Sequence, residues 1–207
     1  ENFMLAWNTE WILRRINSAA FKADADKVMS ESTYLLIGVV QKHKHATSYA
    51  IKKIAGTALE KLAEHAPIEA YQLTQRLLEA ARHDMQLTGY VAAAAAEKVL
   101  PHVVRRFNDS RGQARPNLSD YEVRDFSLRL LKAASGSTSD LPRAAEAVAG
   151  TVLSPLAATS SECCRDVTRE LARMLSGGQL NEQIVCKQFI YIPKSEAGRP
   201  ETMIIRR

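Results

Sequence analysis

Cysteine is scarce: the chain has three in 207 residues, and two of them, Cys163 and Cys164, are adjacent. Adjacent cysteines rarely bridge, because the disulfide strains the peptide between them, and no pair has the two-residue spacing of a zinc site. A disulfide framework and a structural zinc knot are therefore excluded, and a reduced, cytoplasmic setting is expected. Long hydrophobic runs are missing too. The longest aliphatic stretches, Tyr34 to Val40 and Tyr90 to Ala96, fall far short of the ~20 residues that cross a bilayer, so no transmembrane helix is expected. Neither sign of charge dominates: 28 Lys and Arg against 23 Asp and Glu give +5, with no polybasic tail. Acidic residues exceed basic ones only over 119–178. GxSxG, a P-loop and the Rossmann glycine pattern are all lacking, which removes the common signatures of acyl transfer and nucleotide chemistry. No cofactor is implied.

What is present is apolar periodicity. Hydrophobic residues make up 46% of the chain and are spread along it, enough for a core that buries roughly 70% of the unfolded surface at this size. Ile51, Ile54, Ala55, Ala58 and Leu62 recur at helical spacing, as do Ala70, Leu73, Thr74, Leu77, Leu78 and Ala81. Such spacing puts each set on one helix face. Between them Pro67 stands where a first helical turn tolerates a missing N–H, so these two helices form an antiparallel hairpin.

The same grammar extends through most of the chain. A first helix over Phe3 to Ala20 holds Trp7 and Trp11, and is apolar enough to need a packing partner. A second, to about Gln41, is expected to bury Val28, Tyr34, Leu35, Val39 and Val40 as a central helix. A fifth, over Thr88 to Phe107, contains five consecutive alanines from Ala92 and is expected to kink at Pro101, whose ring opposes the carbonyl of Glu97. Capping boxes at Ser119/Glu122 and Thr159/Glu162 start two later helices. A further helix begins near Pro142, and Gly177-Gly178 ends the last.

From Ile184 the pattern changes to IVCKQFIYI, a Pro/Gly-containing loop and ETMIIRR, which reads as a β-hairpin. The expected fold is mainly α, with about eight helices in antiparallel hairpins forming a bundle or a short HEAT-like solenoid, followed by this C-terminal β-hairpin. The expected divisions are an N-terminal helical part over 1–107, a linker loop over 108–118, a C-terminal helical part over 119–178 and the hairpin tail over 179–207. The chain opens on Glu1 rather than Met and reads as a processed or excised piece of something larger.

Two constellations bear on chemistry. His83-Asp84, with His43 and His45 upstream, loosely resembles the HD metal-dependent phosphohydrolases, which would imply a metal held by inward-facing ligands in a helical bundle. Against it, His83 continues the polar stripe of Gln72, Arg76 and Glu79, and MQLTG replaces the glycine-lysine that commonly follows in that family. The other constellation is basic. Lys42, Lys44, Lys52 and Lys53 gather at one helix junction, and Arg105, Arg106, Arg111 and Arg115 surround the long loop. On one face they would make several phosphate contacts, although neither cluster has the interleaved aromatics of a single-strand platform. The function expected first is a non-enzymatic interaction or scaffold module that docks protein partners within a larger assembly through Trp7, Trp11, Phe189 and Tyr191. Nucleic-acid binding through the basic clusters is the alternative, and an HD-type metal phosphohydrolase the weaker one. No catalytic residue or metal ligand is assigned.

Overall fold

The computed structural model describes residues 2–19, 24–42, 48–109 and 119–180, apart from the side chains of 2–6, 19, 41 and 42. The fold is mainly helical. Among the described residues there are ten helical segments: α1 Asn2–Ala19, α2 Ala25–Lys42, α3 Ser48–Thr57, α4 Leu59–His65, α5 Pro67–Ala81, α6 Met85–Lys98, α7 Leu100–Asp109, α8 Asp120–Ala134, α9 Asp140–Thr159 and α10 Ser161–Ser176. The expected β-hairpin tail, with Phe189 and Tyr191, lies outside these residues apart from Gln179 and Leu180, and no strand occurs among the described residues.

Ten segments replace eight because two expected helices are each interrupted once. At Ala58 the backbone loosens to φ −100°, yet the amides of Ala58 and Leu62 still reach the carbonyls of Ile54 and Ala58 at 3.0 and 2.9 Å. At Val99, two residues before Pro101, φ is −99° and the His102 amide bonds back only three residues, to Val99 O at 3.1 Å. Pro101 has no N–H to offer the carbonyl of Glu97, so the break falls where the proline demands it. Counting α3–α4 and α6–α7 as one helix each, every helix packs on the next and on the next but one. Thus α1 meets α2 and α3, α2 meets α4 and α5, α6 meets α8 and α9, and α8 meets α9 and α10. Tyr71 of α5 and Phe126 of α8 meet edge to face at 4.7 Å, joining helices two places apart.

The middle of this stack is α6, not α2. It packs against α3, α4, α5, α7, α8 and α9, and Ala92 to Ala96 are all buried. Alanine's thin profile lets helices approach from every side, and its high propensity keeps the helix intact without an exposed face. One continuous core cluster runs from Ile12 to Leu180, through both expected helical parts.

In α2 the inward face is Met29, Ser32, Thr33, Leu36 and Val40, whereas Tyr34 and Leu35, expected inside, are exposed. Two hydroxyls occupy core positions because each is satisfied within its own helix: Ser32 donates to Val28 O at 2.6 Å and Thr33 to Met29 O at 2.9 Å. A buried hydroxyl so paired carries little penalty. The helix ends follow local chemistry. Pro67 opens α5, and Ser119 with Glu122 forms a reciprocal capping box at α8. At α10 the cap is Ser160, one residue later than expected, its hydroxyl accepting from Cys163 N. The Thr159 hydroxyl is already committed to Asp120 Oδ1 at 2.7 Å. Asn108 and Asp109, expected in the linker loop, complete α7.

Candidate interaction surfaces

The basic clusters are only partly described, and their described members differ in availability. Lys42 closes α2 with its side chain outside the described set, and Lys44, Arg111 and Arg115 lie outside it altogether. Lys52 is exposed. Lys53 is tied down: its Nζ stands 2.7 Å from Glu10 Oε1 and donates to Tyr49 OH at 3.1 Å. The hydrogen bond to Glu10, then that to Tyr49, raises the Lys53 pKa, and the same lysine lowers that of Glu10. This pair links α1 to α3.

Arg105 and Arg106 are exposed on α7 and border a groove of about 880 Å³ over the α4–α5 junction. Four carboxylates share that groove, those of Asp26, Glu64, Glu69 and Asp109. His65 Nδ1 lies 2.7 Å from Asp26 Oδ1, and Ser30 Oγ donates to Glu69 Oε1 at 3.0 Å. A phosphate chain approaching the two arginines therefore meets four carboxylates beside them, which works against tight phosphate binding.

Asp84 has a structural task. Its Oδ1 accepts from Leu87 N at 3.0 Å and caps α6, which explains an aspartate at that place. His83 is exposed and receives a bond from Arg82 Nε at 3.0 Å. Among the described residues no three His, Cys, Asp or Glu side chains are grouped to hold a metal ion.

The aromatic residues of the first hairpin are more telling. Thr9, Ile12, Leu13 and Ile16 turn α1 inward, leaving Trp7 63% and Trp11 54% exposed on its far side. Arg15 lies over the Trp11 ring at 6.0 Å and pairs with Glu31 of α2 at 2.6 Å. That pairing ties α1 to α2. Tyr34 and Leu35 add 57% and 42% exposed side chains on α2. Trp7, Trp11, Tyr34 and Leu35 are thus large apolar side chains left exposed on the first two helices.

Sequence reasoning missed a second groove of about 720 Å³, formed where the end of α5, the start of α6 and the end of α8 converge. Leu78, Glu79 and Arg82 line it from α5 and its cap, Met85 from α6, and Arg129 and Lys132 from α8. The basic residues are separated by about fifty positions in the chain; their only local signal was the i, i+3 spacing of Arg129 and Lys132. Comparison with protein-family models and with curated proteins finds no match to this chain.

Proposed function

We propose that this chain is a non-enzymatic interaction module: a short, HEAT-like stack of helical hairpins whose first hairpin docks a protein partner within a larger, cytoplasmic assembly. The observation that carries this reading is the outward placement of Trp7 and Trp11, each more than half exposed. Tryptophan at the centre of a covered patch is among the strongest contributors to protein association. The stacking of each helix on the next and the next but one supports the solenoid reading, because repeats of that kind bury their cores against neighbours and leave extended faces for binding.

These are the chain's two tryptophans, so fluorescence excited at the red edge of the band, where tyrosine does not absorb, reports on this hairpin alone. Partners captured from the native source by the wild-type chain are expected to shift its emission to the blue. They should be lost from a Trp7→Ser/Trp11→Ser variant whose circular dichroism is unchanged. Capture of the same partners by that variant would refute this docking surface. Nucleic-acid binding is the second reading, favoured by the exposed Arg105 and Arg106 and opposed by the carboxylates around them. A salt series with a generic RNA or DNA oligomer separates the two, since electrostatic binding weakens steeply with salt.

A further inference from the structure

From the groove between the ends of α5 and α8 we infer a second docking site, one that takes an acidic peptide segment carrying apolar side chains. This rests on reading the chain as an interaction module and names the chemistry of one of its partners.

The groove carries more positive than negative charge. Among the groove's lining residues Arg82, Arg129 and Lys132 are cationic and Glu79 is the single carboxylate. Glu79 is already taken, its Oε1 bonded to Arg82 Nη1. Lys132 sits in the last turn of α8, where the helix dipole answers part of its charge. The nearby Glu170 carboxyl is held below its ordinary pKa first by hydrogen bonds from Arg173, at 2.7 and 2.9 Å, and only last by the charge of Lys132, so that carboxylate is occupied by Arg173. Arg129 lies upstream of the last turn, exposed, and forms no ion pair among the described residues. Two cations thus face the groove without a carboxylate bonded to either, in contrast to the acid-rich groove beside α7.

The apolar part of the groove selects the kind of anion. Leu78 is buried at its base, while Met85 is 66% exposed. A long thioether adapts its shape to varied apolar partners, which is why methionine is favoured on peptide-binding surfaces. No aromatic ring lines the groove, so the stacking that single-stranded nucleic acid needs is not on offer. Carboxylates on Arg129 and Lys132, with an apolar side chain against Met85, satisfy both halves.

The test is selection of peptides from a random displayed library on the immobilised full chain. Recovered peptides are then measured against wild type, Arg129→Glu/Lys132→Glu, Met85→Ser and Trp7→Ser/Trp11→Ser, with folding of each variant checked by circular dichroism. The expected result is enrichment of Asp and Glu interspersed with apolar residues. Affinity should fall at least about tenfold in the charge-reversed variant, fall less in Met85→Ser, and hold in the tryptophan variant. Should the double reversal disturb folding, Arg129→Gln/Lys132→Gln is the substitute, with the same direction of change. Peptides without acidic enrichment, or equal affinity for the charge-reversed variant, overturn the inference. So does displacement of the peptides by oligothymidylate at comparable affinity, which would make nucleic acid the occupant. Peptides that depend only on Trp7 and Trp11 defeat this site while leaving the interaction module standing; the absence of any binder on either surface defeats both.

Discussion

Gly89 of α6 lies against Ser137 so closely that a Cβ at position 89 would stand 2.5 Å from the Ser137 Cβ. Ser137 cannot retreat freely. Its hydroxyl donates to Asp140 Oδ2 at 2.7 Å, Asp140 pairs with Arg143 at 3.2 Å, and Arg143 reaches back to Glu97 of α6 at 2.7 Å. The glycine is therefore the point at which the start of α9 closes on the central helix, and the polar chain locks the approach.

Replacing Gly89 by alanine sets two effects against each other. Helix propensity favours alanine by about 1 kcal/mol, while forcing a methyl into a contact this short costs roughly 1–3 kcal/mol. The steric effect should win, because the opposing atom is a short side chain held by hydrogen bonds rather than the end of a flexible one. Gly89→Ala is expected to lower the urea midpoint relative to wild type. A raised midpoint would show that α6 and α9 stand further apart.

The parts of this arrangement legible in the sequence were those set by residues close together in the chain. Ile51, Ile54, Ala55, Ala58 and Leu62 announced an inward face by spacing alone, and all are buried. Pro67, Pro101 and the Ser119/Glu122 box acted where local stereochemistry requires. What escaped depended on context. Ser32 and Thr33 face inward, and Tyr34 and Leu35 outward, because a hydroxyl bonded to its own helix is tolerated in the core. Hydrophobicity therefore misplaced Tyr34 and Leu35, while Val40 is buried and Val28 and Val39 pack against the core as expected. The alanines of α6 carry no amphipathic signal, so nothing in their pattern distinguished the centre of the stack from a thin packing surface. The second groove escaped because its cations come from helices far apart in the chain.

The end of α10 offers a backbone test. Gly178 has φ +69°, and the amides of Gly178 and Gln179 bond to Leu175 O and Met174 O, both at 3.0 Å. This is the paired bonding of a Schellman motif, with Leu180 buried just beyond it. A side chain in that left-handed conformation costs roughly 1–2 kcal/mol, so Gly178→Ala is expected to destabilise by about that amount. Gly177, at φ −78°, needs no such conformation, and Gly177→Ala should cost less. Equal losses in chemical denaturation would mean that the left-handed turn is not what ends the helix.

Surface and core substitutions should separate cleanly in α1 and α4. Trp7→Ser/Trp11→Ser removes side chains that are mostly exposed and is expected to change stability by less than about 1 kcal/mol. Leu62→Ala empties a fully buried position and should cost about 2–5 kcal/mol. The contrast is measured by urea unfolding followed by circular dichroism, since the tryptophan variant loses the fluorescence signal. A large loss from the double tryptophan change would place those rings in the fold's own core.

Cys163 and Cys164 are both buried, and Cys164 Sγ lies 3.6 Å from Leu153 O as its donor. Burial, above the opposing hydrogen bond from Thr168, pushes the Cys164 thiol pKa up. In a Cys186→Ser background neither remaining thiol should react with an aromatic disulfide at mildly alkaline pH, whereas both should react once urea unfolds the chain. The same shift makes stability depend on pH. In the unfolded chain Cys164 ionises in the ordinary thiol range, while in the folded chain it keeps its proton to higher pH, so above that range the unfolded state holds fewer protons. Its contribution is complete below the ordinary thiol pKa and is lost progressively as pH rises towards the raised folded value. The unfolding free energy should therefore decline between these limits in the wild type, and decline less steeply in Cys164→Ala. Identical slopes for the two proteins, or rapid labelling of the folded chain, would show that the thiol is not held in the apolar seam between α9 and α10.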